Sequence, residues 1–111
     1  MKTVESIAFQ GDVCFVRVDE VPTSATEQPQ TKQVIVTHSE TGHHHVINDA
    51  ANVWLYSTKD QMVSYLKVQG HADVVHLRDF DTHEPVRLPE GIWEIHRQEE
   101  HSPDGWRVVA D

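Results

Sequence analysis

Apolar residues in this chain fall in short runs, and residues that favour turns separate one run from the next. Val13–Val18 opens the series directly after Gly11-Asp12. Lys32–His38, His43–Asn48, Val53–Ser57 and Met62–Val68 follow, rich in the β-branched and aromatic residues that suit a pleated, half-buried surface. Gly70 interrupts the pattern before Ala72–Arg78. Pro85–Leu88 then leads to a tight turn at Pro89-Glu90-Gly91, Ile92–Gln98 resumes, and Trp106–Val109 follows Pro103-Asp104-Gly105. Read as strands, these make about nine, at the ~8–12-residue spacing of sandwiches and barrels. A helix through Lys59–Val68 is the rival there, but Val63, Ser64, Tyr65 and Val68 are weak helix formers. The expected fold is therefore all-β: a single small barrel or sandwich over residues 1–111, with little or no helix. An exposed loop is expected at about 20–31, where prolines, threonines and a serine replace the apolar residues. Closure, or near closure, is favoured because it hides strand edges.

Composition narrows the function classes. A chain of 111 residues suits one domain with a modest core. No apolar run approaches the ~20 residues that span a bilayer. Met1–Ser6 lacks the apolar centre of a secretory signal, so a cytoplasmic setting and no membrane contact are expected. The one cysteine, Cys14, excludes an internal disulfide and a thiolate-rich zinc site. Its place inside an apolar strand predicts a buried, inert thiol. Eighteen acidic residues against nine basic ones give a formal charge of −9. That balance argues against direct nucleic-acid binding, which needs cations to neutralise phosphates, and favours instead a solvated acidic surface, attraction to a cationic protein partner, or mimicry of a nucleic acid.

The chain also carries nine histidines, three of them in the internal run Gly42-His43-His44-His45. In a strand, alternate side chains share a face, so His43 and His45 project together with Ile47 while His44 points the other way with Val46. Ile47 predicts that this face is inward, where bare imidazoles are costly and ligation compensates. Two histidines at this spacing bind one metal ion when a neighbouring strand supplies more ligands. Asp79-Phe80-Asp81-Thr82-His83-Glu84 is the first candidate, through His83. Ile92-Trp93-Glu94-Ile95-His96 is another, with Glu94 and His96 on one face. The candidate metal ligands are thus His43, His45, His83 and His96, and nitrogen and oxygen donors suit Zn, Fe, Mn, Ni or Cu.

Two resemblances follow from these residues. Gly42-His43-His44-His45, with Pro89-Glu90-Gly91 later, resembles the two motifs of the cupin family. Asp49 stands where the first motif has glutamate, and Glu94 where the second has histidine. That resemblance implies a small β-barrel with a metal in its mouth, held by His43, His45 and Glu94 or Asp49. More of the chain is similar to a group of small bacterial and phage proteins. The likeness runs through Gln10-Gly11-Asp12-Val13, Thr41-Gly42-His43 with His45, His83, Leu88-Pro89 with Gly91, and Gln98. It implies His43, His45 and His83 as the histidines of interest, and no activity.

Other chemistries find little footing. No serine sits in a G-x-S-x-G turn, and no phosphate-binding or dinucleotide fingerprint occurs. Trp54, Trp93 and Trp106 are expected in the core or closing the barrel. Three readings remain: a metal-binding β-barrel protein with its site on the GHHH strand; an acidic, non-catalytic module for a cationic or nucleic-acid-binding host protein; or histidines that act as a pH switch without metal.

Overall fold

The computed structural model describes residues 2–3, 6–10, 13–37, 45–76, 85–97, 99–102 and 105–108, the backbone alone at 2–3, 37, 76, 99–102 and 105–108. Among the described residues the chain is all-β, without helix. Its strands are β1 (Lys2–Thr3), β2 (Ile7–Gln10), β3 (Val13–Val18), β4 (Thr26–Glu27), β5 (Val34–Thr37), β6 (His45–Ile47), β7 (Val53–Ser57), β8 (Val63–His76), β9 (Val86–Arg97), β10 (Glu99–Ser102) and β11 (Gly105–Val108). One sheet runs in the order β2-β3-β9-β8-β6-β5, with β7 on the first half of β8 and β4 on β7. These ladders are antiparallel, whereas β1 pairs in parallel with the start of β9. Strands β10 and β11 form a two-stranded sheet of their own.

The runs at 13–18 and 53–57 become strands with those bounds. The segment expected as an exposed loop at 20–31 is mostly exposed and carries only the two-residue β4. Two expected turns are corrected by the structure. Gly70 and Pro89-Glu90-Gly91 lie inside β8 and β9, which run for 14 and 12 residues and pair from Val63↔His96 to Val74↔Val86. The register shifts between Val68 and His71, so β8 carries one extra residue opposite Glu90, a bulge at Gln69-Gly70. Pro89, with no N–H to give, is tolerated in a central strand because the ladder is already interrupted there. Gly70 at φ 81° and Gly91 at φ 149° supply backbone angles that other residues resist.

Side chains brace this bend. Arg17 donates to the Glu90 carbonyl at 2.9 Å, and its guanidinium lies 5.0 Å from the centre of the Trp93 ring. Trp93 Nε1 donates to the Pro89 carbonyl at 3.1 Å, and the Glu90 carboxylate accepts the Gly70 N–H at 3.0 Å. Asn52 donates to the carbonyls of Gln69 and His71. Across the bend the inward positions of β9 change from Val86 and Leu88 to Trp93 and Ile95. On β8 they stay with Leu66, Val68, Ala72 and Val74. Both halves thus share one core, which also holds Phe15, Val13, Ile47 and Val53. Each large side chain buried there contributes about 1.5–3 kcal/mol.

Strand β2 inverts the usual pattern. Its large residues, Ile7 and Phe9, are 53% and 54% exposed, while Ala8 and Gln10 are 3% and 2% exposed. Gln10 is one of only two buried polar residues among those described, and the other is His45.

Candidate functional site

His45 begins β6 on the face that Ile47 shares with the core, the orientation expected from strand alternation, and it is fully buried. It pairs in the ladder with His76 of β8 on one side and Thr37 of β5 on the other. Its Nδ1 lies 2.8 Å from Gln10 Oε1, and Gln10 Nε2 donates to the Val74 carbonyl at 2.9 Å. The amide of β2 thus bridges β6 and β8 from across the core. The bridge follows from the fold: the sheet curls until its first strand lies over the β6–β8 ladder, and Gln10 takes an inward position where an apolar residue would make no hydrogen bond. Burial of two polar groups is tolerated because each satisfies the other.

His96 lies elsewhere. On β9 it alternates with Trp93 and Ile95, so it and Glu94 occupy the outer face of the sheet, away from His45. Glu94 Oε1 meets His96 Nε2, and Glu94 Oε2 accepts the Tyr65 hydroxyl at 2.7 Å. The Tyr65 bond is the main influence holding the Glu94 carboxyl below its ordinary range. His96 adds to it, against a partial burial that works the other way. The same bond, with burial, pushes the Tyr65 phenol up to about 12. Cys14 pairs with His96 in the β3–β9 ladder. Burial first, then the Glu94 charge, raises its thiol, so it is the buried, unreactive cysteine expected from its strand.

Of the four histidines picked out by the sequence pattern, the structure therefore places His45 inside and His96 outside, and it does not bring them together. His43 and His83 lie outside the described residues, as do Gly42, His44 and Asp79–Glu84. Among the described residues no three histidine, cysteine or carboxylate side chains gather in a metal-sized cluster. Trp93 takes the core position expected of it, whereas Trp54 is half-exposed. Trp54 lines an outer cavity of about 350 Å³ with Lys67, Gly91 and Ile92, and among the described residues no histidine borders that cavity. The residue missed by periodicity is Gln10. Its signal was a polar side chain at the inward position of a strand whose large apolar residues face out.

No curated protein and no solved structure matches the chain. One family matches, across residues 9–98, a span that holds Gln10, His45, Glu94 and His96. The chain belongs to that family, described as a domain of unknown function, DUF8820.

Proposed function

We propose that this protein binds a divalent transition metal through His45, with His43 and His83 as the further ligands that the sequence pattern supplies. The observation that carries the reading is the placement of His45. A histidine at 0% exposure, inward-facing and held at Nδ1 by an amide, resembles the ligand of an interior site more than a surface residue. Nitrogen ligation suits Zn, Fe, Mn, Ni or Cu. His96 is left out of the set because its ring is engaged with Glu94 on the opposite face.

The test is metal analysis of untagged protein purified without chelator. Near-stoichiometric transition metal is expected, lost in His45→Ala and in the His43→Ala, His45→Ala double variant but kept in His96→Ala. Less than about a tenth of an equivalent in the wild type overturns the reading, since interior sites of this kind hold their metal tightly.

A second reading is an interaction module for a cationic partner. It is favoured by the two large apolar residues, Ile7 and Phe9, exposed side by side on β2 of a chain with formal charge −9. Titration with a short lysine–leucine peptide tests it. Binding that weakens with salt and with Phe9→Ser supports it, and binding unmoved by either counts against it.

A further inference from the structure

The outer cavity beside Trp54 owes its shape to the bulge. Trp54 of β7, Lys67 of β8 and Ile92 of β9 form one cross-strand row. On an unbroken ladder a further row of outward side chains would pack against it. Here the register shifts directly after Val68↔Gly91, and Gly70 and Gly91 bring no side chain, so about 350 Å³ stays open beside the row. The backbone around it is fixed: Asn52 holds the carbonyls of Gln69 and His71, and Glu90 holds the Gly70 N–H. It needs no rearrangement to receive a ligand. The rim is not so engaged. Among the described residues, the Trp54 indole N–H, the Lys67 ammonium and the Gln69 side-chain amide have no hydrogen-bond partner, and Lys67 and Glu90 form no ion pair.

The chemistry of that rim selects a class of ligand. The half-exposed indole of Trp54 offers a flat apolar surface. Donors stand around it on Trp54, Lys67 and Gln69, and acceptors on Gln69 and Glu90. An anion would gain Lys67 but face Glu90, and a cation would meet the reverse. A purely apolar ligand would take water from the donors and acceptors and give nothing back. A neutral ring with an apolar C–H face and a belt of hydroxyls, each both donor and acceptor, satisfies all of them. We propose that this cavity is a carbohydrate-binding site, in which Trp54 stacks on the C–H face of a neutral sugar ring while Lys67, Gln69 and Glu90 hydrogen-bond its hydroxyls. Its volume of about 350 Å³ lies at the small end of the range for ligand pockets, about 300–1,000 Å³, and suits a mono- or disaccharide. The site is on the outer face, apart from His45, and does not depend on the metal reading.

The test is ¹H–¹⁵N NMR of the full chain titrated with maltose, cellobiose, lactose and diacetylchitobiose, each to about 20 mM, a range that detects millimolar affinity. At least one of the four is expected to shift the Trp54 indole N–H saturably, together with the backbone amides of Lys67, Gln69 and Gly91. Trp93, whose buried indole donates to the Pro89 carbonyl, should stay unmoved and serves as the internal control. Trp54→Ala is expected to weaken that binding at least about tenfold and Lys67→Ala about 3–10-fold. Should Trp54→Ala fail to fold, the wild-type map decides alone: saturable shifts that bypass Trp54, Lys67 and Gln69 overturn the proposal. No saturable shift from any of the four sugars overturns it as well. Glucuronate and glucosamine test the charge argument and are expected to bind no better than glucose. A preference of about tenfold for either charged sugar overturns the neutral class.

Discussion

Two histidines in this sheet sit beside an oxygen of a neighbouring side chain, and the two pairs are built on opposite terms. His45 is fully buried against the neutral amide of Gln10. The side chain of His96 is 42% exposed and meets the carboxylate of Glu94, itself 25% exposed. The charge of the partner follows the burial. Inside, an ionised partner would pay for desolvation with little to offset it, so the acceptor is an amide. Outside, water and the Tyr65 hydroxyl share the load, and a carboxylate is tolerated. The inner pair therefore specifies a ring orientation, while the outer pair chiefly sets a local titration.

The largest expected contrast is in stability. His45→Ala leaves a cavity and an unsatisfied amide, for an expected loss of about 3 kcal/mol in urea unfolding of metal-free protein. His96→Ala, on the exposed face, should stay within about 0.5 kcal/mol of wild type. Equal costs for the two would break the comparison. Next in size is the Tyr65 phenol, expected to ionise at about 12 in the wild type and to fall back toward the ordinary value of about 10 in Glu94→Gln, followed by ultraviolet absorbance.

The acid limb of the stability curve sharpens the outer side further. The Glu94 carboxyl is depressed on folding, so its contribution is present above its unfolded value of about 4.3 and is lost as pH falls through the lower folded value. Glu94→Gln should flatten that part of the curve by less than about 1 kcal/mol, since the pair is partly exposed. Measured unfolding free energies at about pH 6 and pH 3 check it; an unchanged difference between the two pH values would assign the acid sensitivity to other groups. The smallest expected effect is none: metal content in His96→Ala should equal wild type, and a loss there would draw the outer histidine back into the site.

The strands were legible where large apolar residues alternate or cluster inward, as in Val13–Val18 and Val53–Ser57, and so was the inward turn of His45 from its parity with Ile47. The bend was not, because Gly70 and Pro89-Glu90-Gly91 carry the same residues that end strands elsewhere. Only their mutual pairing, many residues apart, converts two apparent turns into one bulge. Gln10 was hidden by the inversion of β2. Residues 7–10 are not among the predicted strands, and the register Ala8↔Phe15 and Gln10↔Val13 puts their small and polar residues inside while Ile7 and Phe9 face out. What hides Gln10 from pattern reading is also what frees an interior position for an amide.

The extra residue at Gln69-Gly70 works as a phase setter for everything beyond it on β8. Because side chains alternate, a strand shortened by one residue presents its other face. Deleting Gly70 would leave Leu66 and Val68 where they are but turn Ala72 and Val74 outward and bring His71 and Asp73 in. The Val74 carbonyl would move off the Gln10 amide, and the hydrogen bond between them would be lost. A single extra residue on β8 thus keeps the Val74 carbonyl in line with the Gln10 amide.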